Sequence, residues 1–183
     1  MNPLKACYIL MLTILLSSCE FNCSMGDKSS VKTKPVTTND HSGLTGATIR
    51  NDIDVEASGV KISEVYLMDA DNKFLDENIT KLGEKIYLVI KADTGWVKEN
   101  GKSFLGASER ISTSQGKVVV DAPDIFKEYE TEGLPADKAN LVDLSARITE
   151  ADPGVENFVV KFRVWDKKGN GEVKGQYKFS IKN

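Results

Sequence analysis

The chain of 183 residues carries 24 basic and 27 acidic residues, and His41 is its single histidine. The slight acidic excess argues against nucleic-acid binding, which needs a basic face, and the lack of further histidines excludes histidine-dependent triads and most zinc sites. We also find no nucleophile elbow, no phosphate-binding glycine loop and no dinucleotide fingerprint. We therefore predict a protein without catalytic residues, metal ions or cofactors, which is not an enzyme.

The N-terminus predicts export from the cytoplasm. One positive charge, Lys5, precedes an uncharged apolar run from residue 6 to residue 16. A helix of that length rises about 16 Å, well short of the roughly 30 Å of hydrocarbon in a bilayer. A charged start, a short apolar run and the small residues Ser17 and Ser18 are typical of a secretory signal peptide, here residues 1–18.

The end of this run, Leu16-Ser17-Ser18-Cys19, resembles the lipobox of bacterial lipoproteins. The resemblance implies that the Cys19 thiol receives a diacylglyceryl group, that cleavage falls directly before it, and that Cys19, further acylated with palmitate, becomes the new N-terminus. An ordinary cleaved signal with a chance cysteine is the alternative. Two or more acyl chains make anchoring effectively stable, so we predict a lipid-anchored protein of the bacterial outer membrane. Residue 20 is Glu and not the Asp that resembles an inner-membrane retention signal, which favours the outer membrane. The acidic cluster that resembles a surface-export signal of some Bacteroidetes lipoproteins is reduced here to this one Glu, so we expect the protein to face the periplasm.

Residues 19–59 are predicted to be the acylated N-terminus followed by a flexible tether. They are rich in Ser, Thr, Asn, Asp, Lys and Gly, and such a segment cannot bury enough surface to offset its ordering entropy. Ile49, Ile53 and Val55 alternate with polar neighbours and leave open a short edge strand. Of the three cysteines, Cys7 is removed with the signal peptide and Cys19 is acylated, so Cys23 has no partner for a disulfide within the domain. It is either inert or cross-links two copies.

From residue 60 to the C-terminus, apolar and polar residues alternate in segments divided by turn residues. A period of two predicts strands with one buried face each, and residues 124–129 allow one or two helical turns between strands. Seven strands in about 120 residues favour a two-sheet antiparallel sandwich over a barrel. The predicted strands are 60–68, 85–92, 105–111, 117–121, 142–148, 158–164 and 177–181.

The last two predicted strands enclose a hairpin turn between Val164 and Glu172. Its Asn170-Gly171 pair readily takes positive φ at both residues, which suits a tight turn. A strand, an Asp-containing turn and a closing strand resemble the end of bacterial immunoglobulin-like domains over residues 158–182. The resemblance implies a seven-stranded immunoglobulin-like sandwich for residues 60–183, although the Cys…Trp…Cys spacing of antibody domains is absent.

The candidate interaction residues are two tryptophans and two cations. Trp165 shares its predicted outer face with Lys161 and Arg163, and Trp and Arg are common interface anchors. Alternatively, the indole lies flat over the stems of the cations. Trp96 follows a predicted strand, and it either contacts a partner or packs at the end of the sandwich. Residues 69–73 begin like a calcium loop but lack its third oxygen ligand, so we predict a simple turn there.

Two functions fit this plan. The first is a membrane-anchored, non-enzymatic lipoprotein that presents its β-sandwich for protein–protein interaction, such as a subunit of an envelope-spanning or secretion complex. Its partners would be the membrane, through the lipid on Cys19, and another envelope protein, but not nucleic acid. The alternative is an envelope lipoprotein that binds a glycan or another small ligand through exposed aromatic side chains.

Overall fold

The computed structural model describes residues 42–182. The predictions about the signal peptide, the lipobox with Cys19, Cys23 and His41 lie outside the described residues. Within residues 42–182 the regular secondary structure is β-strand apart from three short 3-10 turns, at Ser42–Leu44, Lys127–Tyr129 and Lys138–Asn140. No helix in this part of the chain is long and apolar enough to cross a membrane.

The strands of the described residues range from short pairs to long segments. The long ones are rich in β-branched and aromatic residues, because such side chains pack well on a pleated surface. In chain order the strands are β1 (Thr48–Ile49), β2 (Asp54–Ser58), β3 (Lys61–Met68), β4 (Ile79–Thr80), β5 (Lys85–Thr94), β6 (Lys102–Ser103), β7 (Leu105–Thr113), β8 (Val118–Ala122), β9 (Leu134–Pro135), β10 (Leu141–Arg147), β11 (Asn157–Asp166) and β12 (Glu172–Ile181).

The strands form two main sheets. The four-stranded sheet has the order β1-β3-β5-β10, and the six-stranded sheet has the order β2-β12-β11-β7-β8, with β4 pairing to β12 beside β2. The short strands β6 and β9 form a separate pair. The long strands pair antiparallel, and only the two-residue strands β1 and β4 pair parallel to their neighbours.

The hydrophobic core lies between the two main sheets. Buried residues alternate with exposed ones along β10 and β11, as the period of two predicts. One continuous cluster joins the inner faces of both sheets, from Val65 and Leu88 on one to Val160 and Phe179 on the other. Burial of apolar surface stabilises a fold by about 25 cal/mol per Å², so this core can hold the domain together without a disulfide.

All seven predicted strands are present, as β3, β5, β7, β8, β10, β11 and β12. The prediction of an all-β, immunoglobulin-like sandwich is therefore confirmed. The predicted helical turn at residues 124–129 is the 3-10 turn Lys127–Tyr129. The two short parallel pairings depart from the purely antiparallel arrangement that we predicted.

The predicted start of the domain at residue 60 is wrong. Strand β2 pairs with β12 along five residues, and Ile53, Val55 and Ala57 are at most 6% exposed in the core. The sandwich therefore includes residues that we assigned to the tether, and the alternative of an edge strand there is confirmed. The segment looks polar because an edge strand with one face in solvent presents Asp54 and Glu56 outwards.

The final hairpin turns differently from the prediction. Neither Asn170 nor Gly171 has positive φ, and the N–H of Asp166 donates to the carbonyl of Gly171 at 2.8 Å, which closes a longer loop. A β-carbon on Gly171 would lie 2.9 Å from the indole of Trp96. Glycine is thus needed here for the close approach of an aromatic ring and not for its backbone freedom.

The carboxylate of Asp166 fastens this loop to the sandwich. It is 5% exposed and accepts the backbone N–H of Val97 at 2.6 Å and that of Lys168 at 2.8 Å. A buried carboxylate is tolerated when backbone donors compensate its lost hydration. The side chain therefore joins the hairpin to the segment that follows β5.

Candidate functional site

The outer face of the six-stranded sheet, which is the side turned away from the core, collects three of the four candidate interaction residues. Lys161 and Arg163 are exposed on β11, and Trp165 is half-buried. The strand register places Lys161 opposite Arg110 and Arg163 opposite Ser108 on β7. Two neighbouring strands therefore bring three cations together, because side chains of directly opposed residues share a face.

These residues line a shallow depression of about 280 Å³, which we call the cationic depression. Its lining includes Ser108, Arg110, Asp121, Pro123, Lys161 and Arg163. Asp121 beside Arg110 and Glu172 beside Arg163 offset two of the three cations. A small local positive excess remains, although the whole chain is slightly acidic. A site of this kind attracts an anionic group and offers Ser108 as an additional hydrogen-bonding hydroxyl.

The three cations differ in how far they are already paired. Arg163 donates its Nε to Glu172 at 2.7 Å, and Arg110 lies 3.8 Å from Asp121. Lys161 makes no ion pair with any residue that the structure describes. Its ammonium is therefore the group in the depression that is most readily available to a partner.

The side chain of Trp165 packs against the outer face of the six-stranded sheet. The indole lies against Gly106, where any β-carbon would overlap the ring, and the guanidinium of Arg163 lies over the ring at 4.9 Å from its centroid. The indole is thus partly covered, as in the alternative that placed it flat beneath a cation. Trp165 positions Arg163 at the end of the cationic depression and does not offer an open stacking surface.

Trp96 does not belong to this face. Its side chain is 5% exposed and packs against Gly171 in the final hairpin loop. The prediction of Trp96 as an interaction residue is therefore wrong, and the alternative of packing at the end of the sandwich describes it. A strand-end tryptophan is large enough to seal the interior where the hairpin loop folds over it.

A second depression of about 380 Å³ lies farther along the same face, and we call it the polar depression. Its lining includes Asn78, Ser114, Asn157, Val159, Lys178 and Ser180. The hydroxyl of Ser180 donates to Oδ1 of Asn157 at 2.7 Å, and Nδ2 of Asn78 donates to the carbonyl of Lys178 at 2.9 Å. Nδ2 of Asn78 also donates to the carbonyl of Asn51 at 2.8 Å, so both of its N–H donors are used. Its Oδ1 acceptor, together with the amide of Asn157 and the hydroxyl of Ser180, can bind a neutral polar ligand.

Glu109 lies beneath the cationic depression, on the inner face of β7. It is 4% exposed, and its Oε1 has no hydrogen-bond partner among the described residues. Burial raises the pKa of Glu109 to about 7, because an apolar environment disfavours the charged form. Glu109 was not among the predicted residues, although the period of two between Ala107 and Ile111 already places it on the inner face.

Tyr177 is the second polar group inside the sandwich. It is 1% exposed, and its hydroxyl finds no partner in the part of the chain that the structure describes. Burial raises the pKa of Tyr177 well above its usual value, and the charge of Glu109 adds to this effect. The inner face thus combines an aromatic core with the carboxyl group of Glu109 and the hydroxyl of Tyr177. Burial disfavours the charged form of both groups.

Residues 69–73 form a turn, as predicted. Oδ1 of Asp69 accepts the backbone N–H groups of Asp71 and Lys73, both at 2.9 Å, and Asn72 has a φ of 60°. This is the hydrogen bonding of an Asx turn. Among residues 42–182, no group of three or more His, Cys, Asp and Glu side chains is placed to hold a metal ion.

Comparison with known proteins shows likeness of fold alone. No family model matches the chain, and no curated protein matches it. Among solved structures, the C-terminal domain of wzt is 11% identical, with a TM-score of 0.47 over 80% of this chain and 87% of that one. A Niemann-Pick type C2 protein from the Japanese carpenter ant is 12% identical, with a TM-score of 0.38 over 70% of this chain and 97% of that one.

Proposed function

We propose that this chain is a non-enzymatic bacterial lipoprotein that binds an envelope protein through the outer face of its six-stranded sheet. The observation that carries the proposal is the cationic depression, in which Arg110, Lys161 and Arg163 converge from two strands. Such a surface fits a partner that presents acidic side chains, for instance within an envelope-spanning or secretion complex. Complementary charge increases the association rate and selects the partner.

The ion pairs of the depression indicate which residue matters most for binding. Arg163 and Arg110 each have a carboxylate neighbour, so a partner must compete with these contacts. Lys161 is exposed and makes no ion pair within the described residues, so its charge is available without rearrangement. We therefore expect Lys161 to contribute most to the attraction of the partner, with Arg163 as its neighbour on the same face.

A comparison of charge reversals tests this proposal. Tagged wild-type protein, Lys161→Glu and Lys127→Glu are used to isolate complexes from detergent-solubilised membranes. Lys127 is exposed in a 3-10 turn, so it provides the same change of charge at another surface. We expect one partner that is retained by wild type and Lys127→Glu and lost from Lys161→Glu. Equal retention by all three would show that the cationic depression is not the binding surface.

The proposal includes lipid anchoring at Cys19 in the outer membrane, facing the periplasm. Its support is the lipobox and the apolar run before it. The Cys19→Ser variant should lose its acyl chains and leave the membrane fraction on carbonate extraction. A variant that stays with the membrane would contradict the anchor. Protease treatment of intact cells tests the orientation, since digestion of the sandwich would place it on the cell surface.

The alternative, a glycan or small polar ligand, has support from a different observation. The polar depression presents the amides of Asn78 and Asn157 and the hydroxyl of Ser180. The aromatic residues of its described lining, Phe158 and Phe179, are buried and offer no open ring. A glycan array probed with wild type, Asn157→Ala and Lys161→Glu separates the two functions, since a ligand of the polar depression would be lost with Asn157→Ala alone.

A further inference from the structure

The outermost strands of the two sheets are protected to very different degrees. An open strand edge is normally kept short, bulged or covered, because its free backbone groups can pair with another chain. Strand β1 has two residues, and β2 and β8 have five each; the pairing of β8 also contains a register shift. Strand β10 has seven residues in unbroken register with β5, and within residues 42–182 it pairs with no other strand.

The side chains of β10 divide cleanly between its two faces. Val142, Leu144 and Ala146 are at most 4% exposed, and the residues between them are exposed. Asp143 and Arg147 are the charged residues of this outer row, four positions apart. Neither forms an ion pair with a described residue.

Part of the Arg147 guanidinium is used by the segment that precedes β5. Its Nε donates to the carbonyl of Gly83 at 2.7 Å, which occupies one of the five N–H donors of the guanidinium. The two Nη groups remain for a carboxylate, and a paired acceptor is what the planar fork of arginine favours. Among the described residues, this edge therefore combines a long strand with one open side, a carboxylate without an ion-pair partner and a guanidinium with donors left for a carboxylate.

We propose that β10 pairs antiparallel with β10 of a second copy, about a two-fold axis at Ser145. This register places Asp143 opposite the second copy's Arg147. The two-fold symmetry also places Arg147 opposite the second copy's Asp143, so the ion pair forms twice. It also places Leu144 opposite the second copy's Ala146, so the apolar inner row continues across the junction. The two four-stranded sheets then form one continuous sheet of eight strands.

The charges distinguish this register from its neighbours. Directly opposed residues lie on the same face of a sheet, so the two-fold axis must pass through a residue. An axis at Asp143 or at Arg147 would oppose two like charges, which is unfavourable. An axis at Leu144 or Ala146 would place uncharged residues opposite both charged ones. The axis at Ser145 is the choice that pairs both carboxylates with guanidinium groups.

Site-specific disulfide formation in membranes of expressing cells tests this register. The full chain carries Cys23→Ser, and a single cysteine is then introduced as Ser145→Cys. Opposed residues of an antiparallel ladder have Cα atoms about 4.5–5.5 Å apart, which is within the range for a disulfide. With Asp143→Cys the two cysteines would lie about 14 Å apart along the ladder, so this variant is the matched control.

We expect a covalent dimer with Ser145→Cys upon mild oxidation, and little or none with Asp143→Cys or with the Cys23→Ser background alone. Equal cross-linking at positions 143 and 145 would indicate random collision and overturn the proposal. A Ser145→Cys product that contains a different protein would also overturn it, because the occupant of the edge would not be a second copy. A covalent dimer of the Cys23→Ser background alone would be linked through Cys7 or Cys19. Such a dimer would reveal failed acylation separately from pairing at β10.

Charge reversal provides an independent test of the proposed register. Asp143→Arg and Arg147→Asp, each combined with Ser145→Cys, should reduce the covalent dimer roughly tenfold, because both opposed pairs change from attraction to repulsion. Co-expression of these two variants under different tags restores both complementary pairs and should restore a mixed dimer. Absence of the mixed dimer, or no reduction in the single variants, would contradict the proposed register. Unchanged melting of the Asp143→Arg variant would show that the sandwich itself is intact.

Discussion

Strand β11 shows the contrast between the two faces of the six-stranded sheet. Phe158, Phe162 and Val164 are at most 3% exposed on the inner face, whereas Lys161 and Arg163 are exposed on the outer one. The inner residues stabilise the fold through apolar burial. The outer residues contribute little to stability but supply the charge that a partner can recognise.

Each face also contains side chains that do not fit this division. The inner face holds the buried carboxyl group of Glu109, which has an unpaired oxygen among the described residues. The outer face holds the indole of Trp165, which is partly covered by Arg163 and Gly106. Alternation therefore predicts the direction of a side chain, but not whether its environment suits it. Variants on the two faces, and of the strand that completes the inner one, test this division.

The largest effect should come from removal of β2. The fragment 60–183 lacks Ile53, Val55 and Ala57 from the core and leaves β12 without a neighbour along five residues. A fully buried Val or Ile contributes about 1.5–3 kcal/mol, and a typical domain has about 5–15 kcal/mol in total. We expect no cooperative thermal unfolding by circular dichroism for this fragment, and a cooperative transition for 42–183. A sharp transition in 60–183 would show that the inner face is complete without β2.

Phe162→Ala should have the next largest effect. Phe162 is 3% exposed and its ring lies 6.5 Å from that of Tyr177, centroid to centroid. Truncation of a buried phenylalanine lowers the free energy of unfolding by about 3–5 kcal/mol. Urea unfolding of the variant at fixed pH measures the loss. A loss below about 1 kcal/mol, which is typical of surface positions, would place Phe162 outside the core.

Glu109 should make the stability of the domain decrease with rising pH. The pKa of this carboxyl is raised by burial from 4.5 to about 7, so the folded state holds a proton that the unfolded state has released. Below pH 4.5 both states are protonated and the stabilisation is fully present. Between there and pH 7 the free energy of unfolding should fall by about 3 kcal/mol, with little further change above.

The variant Glu109→Gln should remove this part of the pH dependence, because the amide does not ionise. Glu56→Gln is the matched control, since Glu56 is an exposed glutamate on the outer face of the same sheet. Urea unfolding at several pH values between 4 and 8 gives the comparison. If the two variants show the same pH profile, Glu109 is hydrated and the inner face is less dry than its burial indicates.

Trp165→Ala should cost less stability than Phe162→Ala, about 1–2 kcal/mol. The indole contacts Gly106 and the guanidinium of Arg163, but it lies on the outer face and remains half-buried. Since the ring positions Arg163, the variant should also weaken binding of the partner retained by wild type. Unfolding as severe as that of Phe162→Ala would mean that the outer face acts as a second core.

Lys161→Ala should have the smallest effect on stability, within about 0.5 kcal/mol, as is usual for exposed positions. Its side chain is exposed and makes no ion pair with a described residue. Thermal unfolding should therefore match that of wild type, while retention of the partner falls. A large loss of stability would assign Lys161 to the fold and remove the main support for the binding face.

The strands and the direction of their side chains follow from the local sequence pattern. Alternation is a local property, because successive residues of a strand point to opposite faces. For this reason Phe162 could be assigned to the core, and Lys161, Arg163 and Trp165 to one shared outer face, before any contact was known. The same alternation also places Glu109 on the inner face. It was overlooked because a charged residue is rarely expected in a hydrophobic core.

Only the tertiary structure decided which strands are neighbours and what each side chain meets. The pairing of β2 with β12 joins segments more than a hundred residues apart, and no local pattern specifies it. The same holds for Arg110 opposite Lys161, for the indole of Trp165 against Gly106, and for Gly171 beneath Trp96. Propensity and periodicity act over a few residues, whereas close packing and charge pairing depend on distances that exist only after the sheets have formed.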